Sequence, residues 1–125
     1  MIQTQNNPPS KHYDLEERTL AFSKSVRSFV KKLPNTKSNW EDISQLVRSS
    51  GSIGANYIEA NESLSKKDFA MRVKISRKEA KETGYWLQLL DLGEDRELNK
   101  EKDSLVGEVG ELMKIFGAII EKVKF

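Results

Sequence analysis

Two sets of side chains in this sequence could do chemistry, and both fall between Arg48 and Leu90. The first is acidic. Glu59, Glu79 and Glu82 sit on the inward edges of helical patterns, where paired carboxylates in a concave site could act as general acid and base. The residues that would normally complete such a site are missing. There is no cysteine, and the single histidine, His12, lies in a polar N-terminal stretch. That excludes disulfides, thiolate zinc sites and Cys/His nucleophiles. A ferritin-like di-iron centre is excluded too, because it requires Glu-x-x-His pairs on helices. The reading therefore expects no catalytic residue, no metal and no cofactor, and the inward carboxylates are expected to pair with Arg48 or Arg72. Gly51-Ser-Ile-Gly54 is no phosphate loop, since it lies inside a helical pattern and follows no strand.

The second set is basic. At about 100° per residue, Lys67, Lys74, Arg77, Lys78 and Lys81 fall within one sector of a helix about 100° wide. Such a stripe can follow a nucleic-acid backbone, with help from Arg18, Lys24, Arg27, Lys31 and Lys32 on an earlier helix. The plainer reading is a solvated helix face, which is what most such stripes are. The formal net charge of +2 does not by itself announce nucleic-acid binding, but an oligomer would repeat the patch and add the copies as avidity. A further polar ladder, Arg48, Ser52, Asn56 and Glu59, steps by 4, 4 and 3 residues. Together with Glu79 and Glu82 it reads as a subunit interface or buried polar network, the other possibility being an exposed face. Tyr57, Tyr85 and Trp86 are read as packing residues with a hydrogen-bonding tip, not as a stacking platform for bases.

The elements that must position these groups are helices. Residues 1–12, polar and containing Pro8-Pro9, read as a disordered tail, and residues 13–125 as one domain. Asp14 with Glu17 caps a first helix whose face carries Leu15, Phe22, Val26, Phe29, Val30 and Leu33, and Pro34 ends it at Leu33. Ser38 with Glu41 opens a second helix that buries Ile43, Leu46, Val47, Ser50, Ile53, Gly54, Tyr57 and Ile58. Gly51 and Gly54 weaken that helix, so they mark close approach of another backbone. Ser65 with Asp68 caps a third helix, built on Phe69, Val73, Ser76, Ala80, Leu87 and Leu90 and ending at Gly93. Asn99 caps a fourth, in which Leu105, Val109, Leu112, Phe116, Ile119 and Val123 alternate steps of 4 and 3. Four such helices with short connections predict an all-α, antiparallel up-and-down four-helix bundle. No stretch has the length of a membrane span or the apolar region of a secretory signal, so a soluble, cytoplasmic protein is expected.

The segments at 14–34, 45–69, 72–90 and 111–119 resemble the bacterial four helix bundle protein family, also called the 23S rRNA-intervening-sequence protein because some members are encoded in insertions within large-subunit rRNA genes. The most telling piece is Ser52-Ile-Gly-Ala-Asn56-Tyr-Ile-Glu59-Ala-Asn61, which resembles the family's Ser-Ile-x-x-Asn-Ile-x-Glu-Gly segment; this chain departs at Asn61, where many members have glycine. The resemblance implies a left-handed bundle assembling into a homopentamer, with the second and third helices at subunit contacts. A related protein accompanies the reverse transcriptase of diversity-generating retroelements, where a basic pentameric bundle binds nucleic acid and the enzyme. From residues and resemblance together, the chain is expected to be a non-enzymatic oligomer whose partners are itself and RNA or DNA, bound through the lysines of the third helix. The alternative is a structural or protein-interaction scaffold without nucleic acid.

Overall fold

The computed structural model describes residues 15–123. The expected tail, His12 and the Asp14 cap lie outside the described residues. Four helices follow in order: α1 (Leu15–Val30), α2 (Lys37–Asn61), α3 (Lys66–Leu89) and α4 (Arg96–Lys122). α3 starts where its cap predicts, with the Ser65 hydroxyl accepting from the Asp68 N–H at 3.0 Å.

The other termini differ from the sequence reading, each for a local reason. α1 stops at Val30, short of Leu33. The Lys32 and Leu33 amides bond back three residues, to the Phe29 and Val30 carbonyls, tightening the chain before Pro34, which disfavours a helical residue ahead of it. α2 is capped by Thr36 and not Ser38: the Thr36 hydroxyl accepts from the Asn39 N–H at 3.2 Å, placing Ser38 inside the first turn. α3 ends at Leu89 and not near Gly93. Leu90 and Leu92 are both buried, a two-residue spacing that only extended backbone can bury together, and the turn that follows uses the left-handed conformation of Gly93 at φ 62°. α4 is capped by Asp95 and not Asn99, its carboxylate accepting from the Leu98 N–H at 3.0 Å.

α1 packs on α2 and α4, and α3 packs on α2 and α4, so α1 and α3 are diagonal. Neighbours run antiparallel. From α2 to α3, Ser49 bonds to Thr83, the Ile53 carbonyl to Ser76 and Asn56 to Arg72, and Asn39 bonds to Asp91 just past the end of α3, numbers falling on one helix as they rise on the other. Phe29, Phe116, Leu15, Leu46, Ile53, Leu87 and Leu112 fill the centre, and Tyr57 lies against Phe116 with ring centroids 5.9 Å apart. Ile58, expected in this core, is 46 % exposed, because it points over the α1–α2 seam instead of into the bundle. The glycines, expected to meet another backbone, meet side chains first: a Cβ at Gly54 would stand 2.7 Å from the Thr19 hydroxyl and 3.2 Å from the Thr19 Cβ, with the Thr19 backbone carbon at 3.9 Å, and Gly51 faces the Arg27 and Ser23 side chains.

Asn39 went unremarked in the sequence. Fully buried at the start of α2, its amide donates to the Asp91 carbonyl at 2.8 Å and the Pro34 carbonyl at 3.3 Å, and its oxygen accepts from the Asp91 N–H at 2.9 Å. One side chain thus ties the α1–α2 connection to the end of α3, satisfying backbone groups that neither helix can satisfy itself.

Candidate nucleic-acid interface

α3 has two flanks, and its residues divide between them. On the α2 side, Glu79 is only 8 % exposed. The Arg48 guanidinium stands 3.4 Å from both the Glu79 and Glu82 carboxylates, in the pairing expected of an inward acid. The contact to Glu79 is ionic and not a direct hydrogen bond. The rest of the ladder is closed within the chain. The Ser52 hydroxyl donates to the Arg48 carbonyl at 3.0 Å, the Asn56 amide donates to the Ser52 carbonyl at 2.9 Å, and Arg72 donates to the Asn56 oxygen at 3.2 Å. Glu59 stands apart from Glu79 and Glu82, in an open cavity of about 500 Å³ that it shares with Glu62, Asp68, Met71 and Arg72. The three carboxylates therefore do not converge on one reacting centre.

On the α4 side and outward, Lys67, Lys74, Arg77, Lys78 and Lys81 are all exposed. The last four line a shallow depression of about 300 Å³, which Lys67 does not reach. Arg77 lies against α4, its Nη1 at 3.8 Å from where a Cβ on Gly117 would stand. Among the described residues, none of these four cations has a carboxylate within ion-pairing distance. Like charges on successive turns repel, so such a cluster carries a positive potential that a phosphate relieves.

The α1 cations do not extend this strip. α1 is diagonal to α3, and Arg18 and Arg27 of α1, with Lys32 in the turn just after it, are engaged locally. Arg18 is bidentate to Glu108 at 2.7 and 2.9 Å, Lys32 pairs with Glu101 at 2.7 Å, and Arg27 is held against the Ser23 hydroxyl over Gly51. The hydrogen bond that Arg18 donates to Glu108 pushes the Arg18 pKa further up, more than burial pulls it down. Arg18 is thus charged in both folded and unfolded chains throughout the working pH range. Stability gained from its raised pKa would fade only in strong alkali.

The aromatic residues separate as well. Tyr57 is buried and Trp86 is partly buried against the core, as packing residues should be. Tyr85 is 61 % exposed and does not pack into the core, because one residue's turn from Trp86 carries it onto the outward face with Lys78 and Lys81. Its ring meets Trp86 edge-on at 5.2 Å. The Trp86 indole N–H is buried without a hydrogen-bond partner among the described residues. The Leu20 and Ile58 pair over the α1–α2 seam also escaped the sequence reading, although Leu20 falls outside the spacing of the α1 core face and could have been found from it.

Fold and site together define an all-α, antiparallel four-helix-bundle protein with one basic flank. The chain belongs to the 23S rRNA-intervening sequence protein family, whose profile matches residues 11–117. It is similar to a solved protein of unknown function from the S23 ribosomal protein family of Bacteroides thetaiotaomicron VPI-5482, with 34% sequence identity and a TM-score of 0.73 over 85% of this chain and 97% of that one. No functionally curated protein matches the chain.

Proposed function

We propose that this chain is a non-catalytic, self-associating accessory protein that binds the phosphate backbone of RNA or DNA through Lys74, Arg77, Lys78 and Lys81, with Lys67 at the margin. The observation that carries this reading is the uncompensated charge of the four cations around one depression, in a chain that pairs Arg18, Lys32 and Arg48 with carboxylates. Nothing about such a surface reads base identity, so the contact is sequence-independent.

Self-association is supported by apolar exposure on two different faces. Leu20 and Ile58 stand over the α1–α2 seam, and Leu64 and Met71 over the α2–α3 seam. Two unlike patches suit head-to-tail contacts, which close into a ring when the rotation allows. Five copies is the number implied by the family resemblance. The same apolar patches favour the second reading, a protein-interaction scaffold that needs no nucleic acid.

Fluorescence anisotropy with a labelled oligonucleotide separates the two. The nucleic-acid reading expects binding that weakens about a hundredfold in the Lys74→Glu, Lys78→Glu variant. Affinity indifferent to that double reversal leaves the scaffold reading. Light scattering on the native particle tests assembly: five times the mass of the chain is expected, and a monomer at micromolar concentration contradicts it.

A further inference from the structure

We infer that the basic flank of α3 is a binding site for unpaired nucleic acid, with Tyr85 the platform on which one base stacks. The inference rests on the backbone-binding reading above and adds the class of strand. Tyr85 follows Lys81 by one helical turn and Lys74 by three, so Lys74, Lys78, Lys81 and Tyr85 run along one line of the helix for about 16 Å. Long side chains on a helix lean toward its N-terminus, which for Tyr85 is toward Lys81.

The ring is well placed for this use. It is 61 % exposed, so a base can approach it, and the edge-on contact with the partly buried Trp86 props it in position. An aromatic ring held ready loses little conformational entropy on binding. Cations that track the backbone, ending on an exposed aromatic ring, are the combination that proteins use to hold single strands, because every base offers a π-face and a duplex offers none along its length. A duplex could still meet the lysines, but it would leave Tyr85 unused.

The test uses the full chain with a labelled single-stranded oligonucleotide, its duplex, and an abasic strand of the same length, all by anisotropy. Tyr85→Ala should weaken single-strand binding about tenfold, while Tyr85→Phe retains it. Duplex and abasic binding should not respond to Tyr85→Ala, whereas the Lys74→Glu, Lys78→Glu variant should weaken all three ligands. Single-strand affinity unchanged by Tyr85→Ala overturns the inference and leaves backbone binding standing. A fall of equal size for strand, duplex and abasic strand also overturns it. So does a Tyr85→Ala chain whose particle mass changes, since that places the ring at a contact between copies. A wild-type chain that binds none of the three ligands removes the backbone-binding reading and this inference together.

Discussion

The two flanks of α3 carry polar residues in similar density, yet they are used in opposite ways. Toward α2, Ser76 donates to the Ile53 carbonyl at 2.9 Å, Thr83 bonds Ser49 at 2.8 Å, and Glu79 faces Arg48. Every one of these groups is answered by the same chain. Toward α4, Val109 lies beside Gly84 and Arg77 lies beside the bare backbone at Gly117, and among the described residues no carboxylate stands within ion-pairing distance of Arg77. A polar stripe beside a polar neighbour becomes part of the structure. Beside an apolar or glycine neighbour it keeps its charge for whatever arrives from outside, and that is where binding is to be sought.

If the inner flank is structural, its disruption should cost stability and leave binding by the folded protein intact. The largest effect is expected at Asn39. Asn39→Ala removes three part-buried hydrogen bonds made by one buried side chain and should lower unfolding free energy by about 3 kcal/mol in urea denaturation. If the outer flank is functional, the reverse holds. Lys74→Glu with Lys78→Glu should reduce oligonucleotide affinity about a hundredfold while changing stability by only about 0.5 kcal/mol, as surface substitutions generally do. A double reversal that instead unfolds the chain would erase the distinction between the flanks.

Smaller effects sharpen it. Arg48 is half exposed, so its solvent-screened pairing with Glu79 and Glu82 should be worth about 1 kcal/mol, read as the loss in Arg48→Ala. Glu79→Gln in that background should restore part of it, because a buried amide costs less than a buried lone carboxylate. The smallest effect belongs to Lys67, which lies outside the depression. Lys67→Ala should weaken binding by less than about twofold, against about fivefold for Lys78→Ala, if only cations near the depression touch phosphate.

Much of this was legible in the sequence, and what was not has local causes. The 4 and 3 steps of Leu105, Val109, Leu112 and Phe116 gave the buried face of α4, all four being buried. Periodicity also sorted Arg48, Glu79 and Glu82 to one flank and the lysines to the other. Helix ends were less legible because several residues near each end could cap. Thr36 and Ser38 compete for α2, and Asp95 and Asn99 for α4; the choice depends on how Leu33, Leu90 and Leu92 are drawn toward the core, a tertiary effect. The contribution of α1 to the basic strip was overestimated for a similar reason. Lys24 and Arg27 on α1, and Lys31 and Lys32 just after it, are basic in sequence, but α1 is diagonal to α3 and makes no packing contact with it. Asn39 could not be singled out, since its partners are backbone groups at Pro34 and Asp91, and backbone groups carry no sequence signal. Tyr85 and Trp86 look equivalent as text, and only the turn of the helix separates a core ring from an exposed one.

The salt dependence of single-strand binding tests the central claim, that four unneutralised cations on one flank of α3 contact phosphate. With four phosphates neutralised per chain, the logarithm of the binding constant should fall against the logarithm of salt concentration with a slope of about −3, reduced to about half in the Lys74→Glu, Lys78→Glu variant. A slope near zero, or one that the double substitution leaves unchanged, would contradict the account.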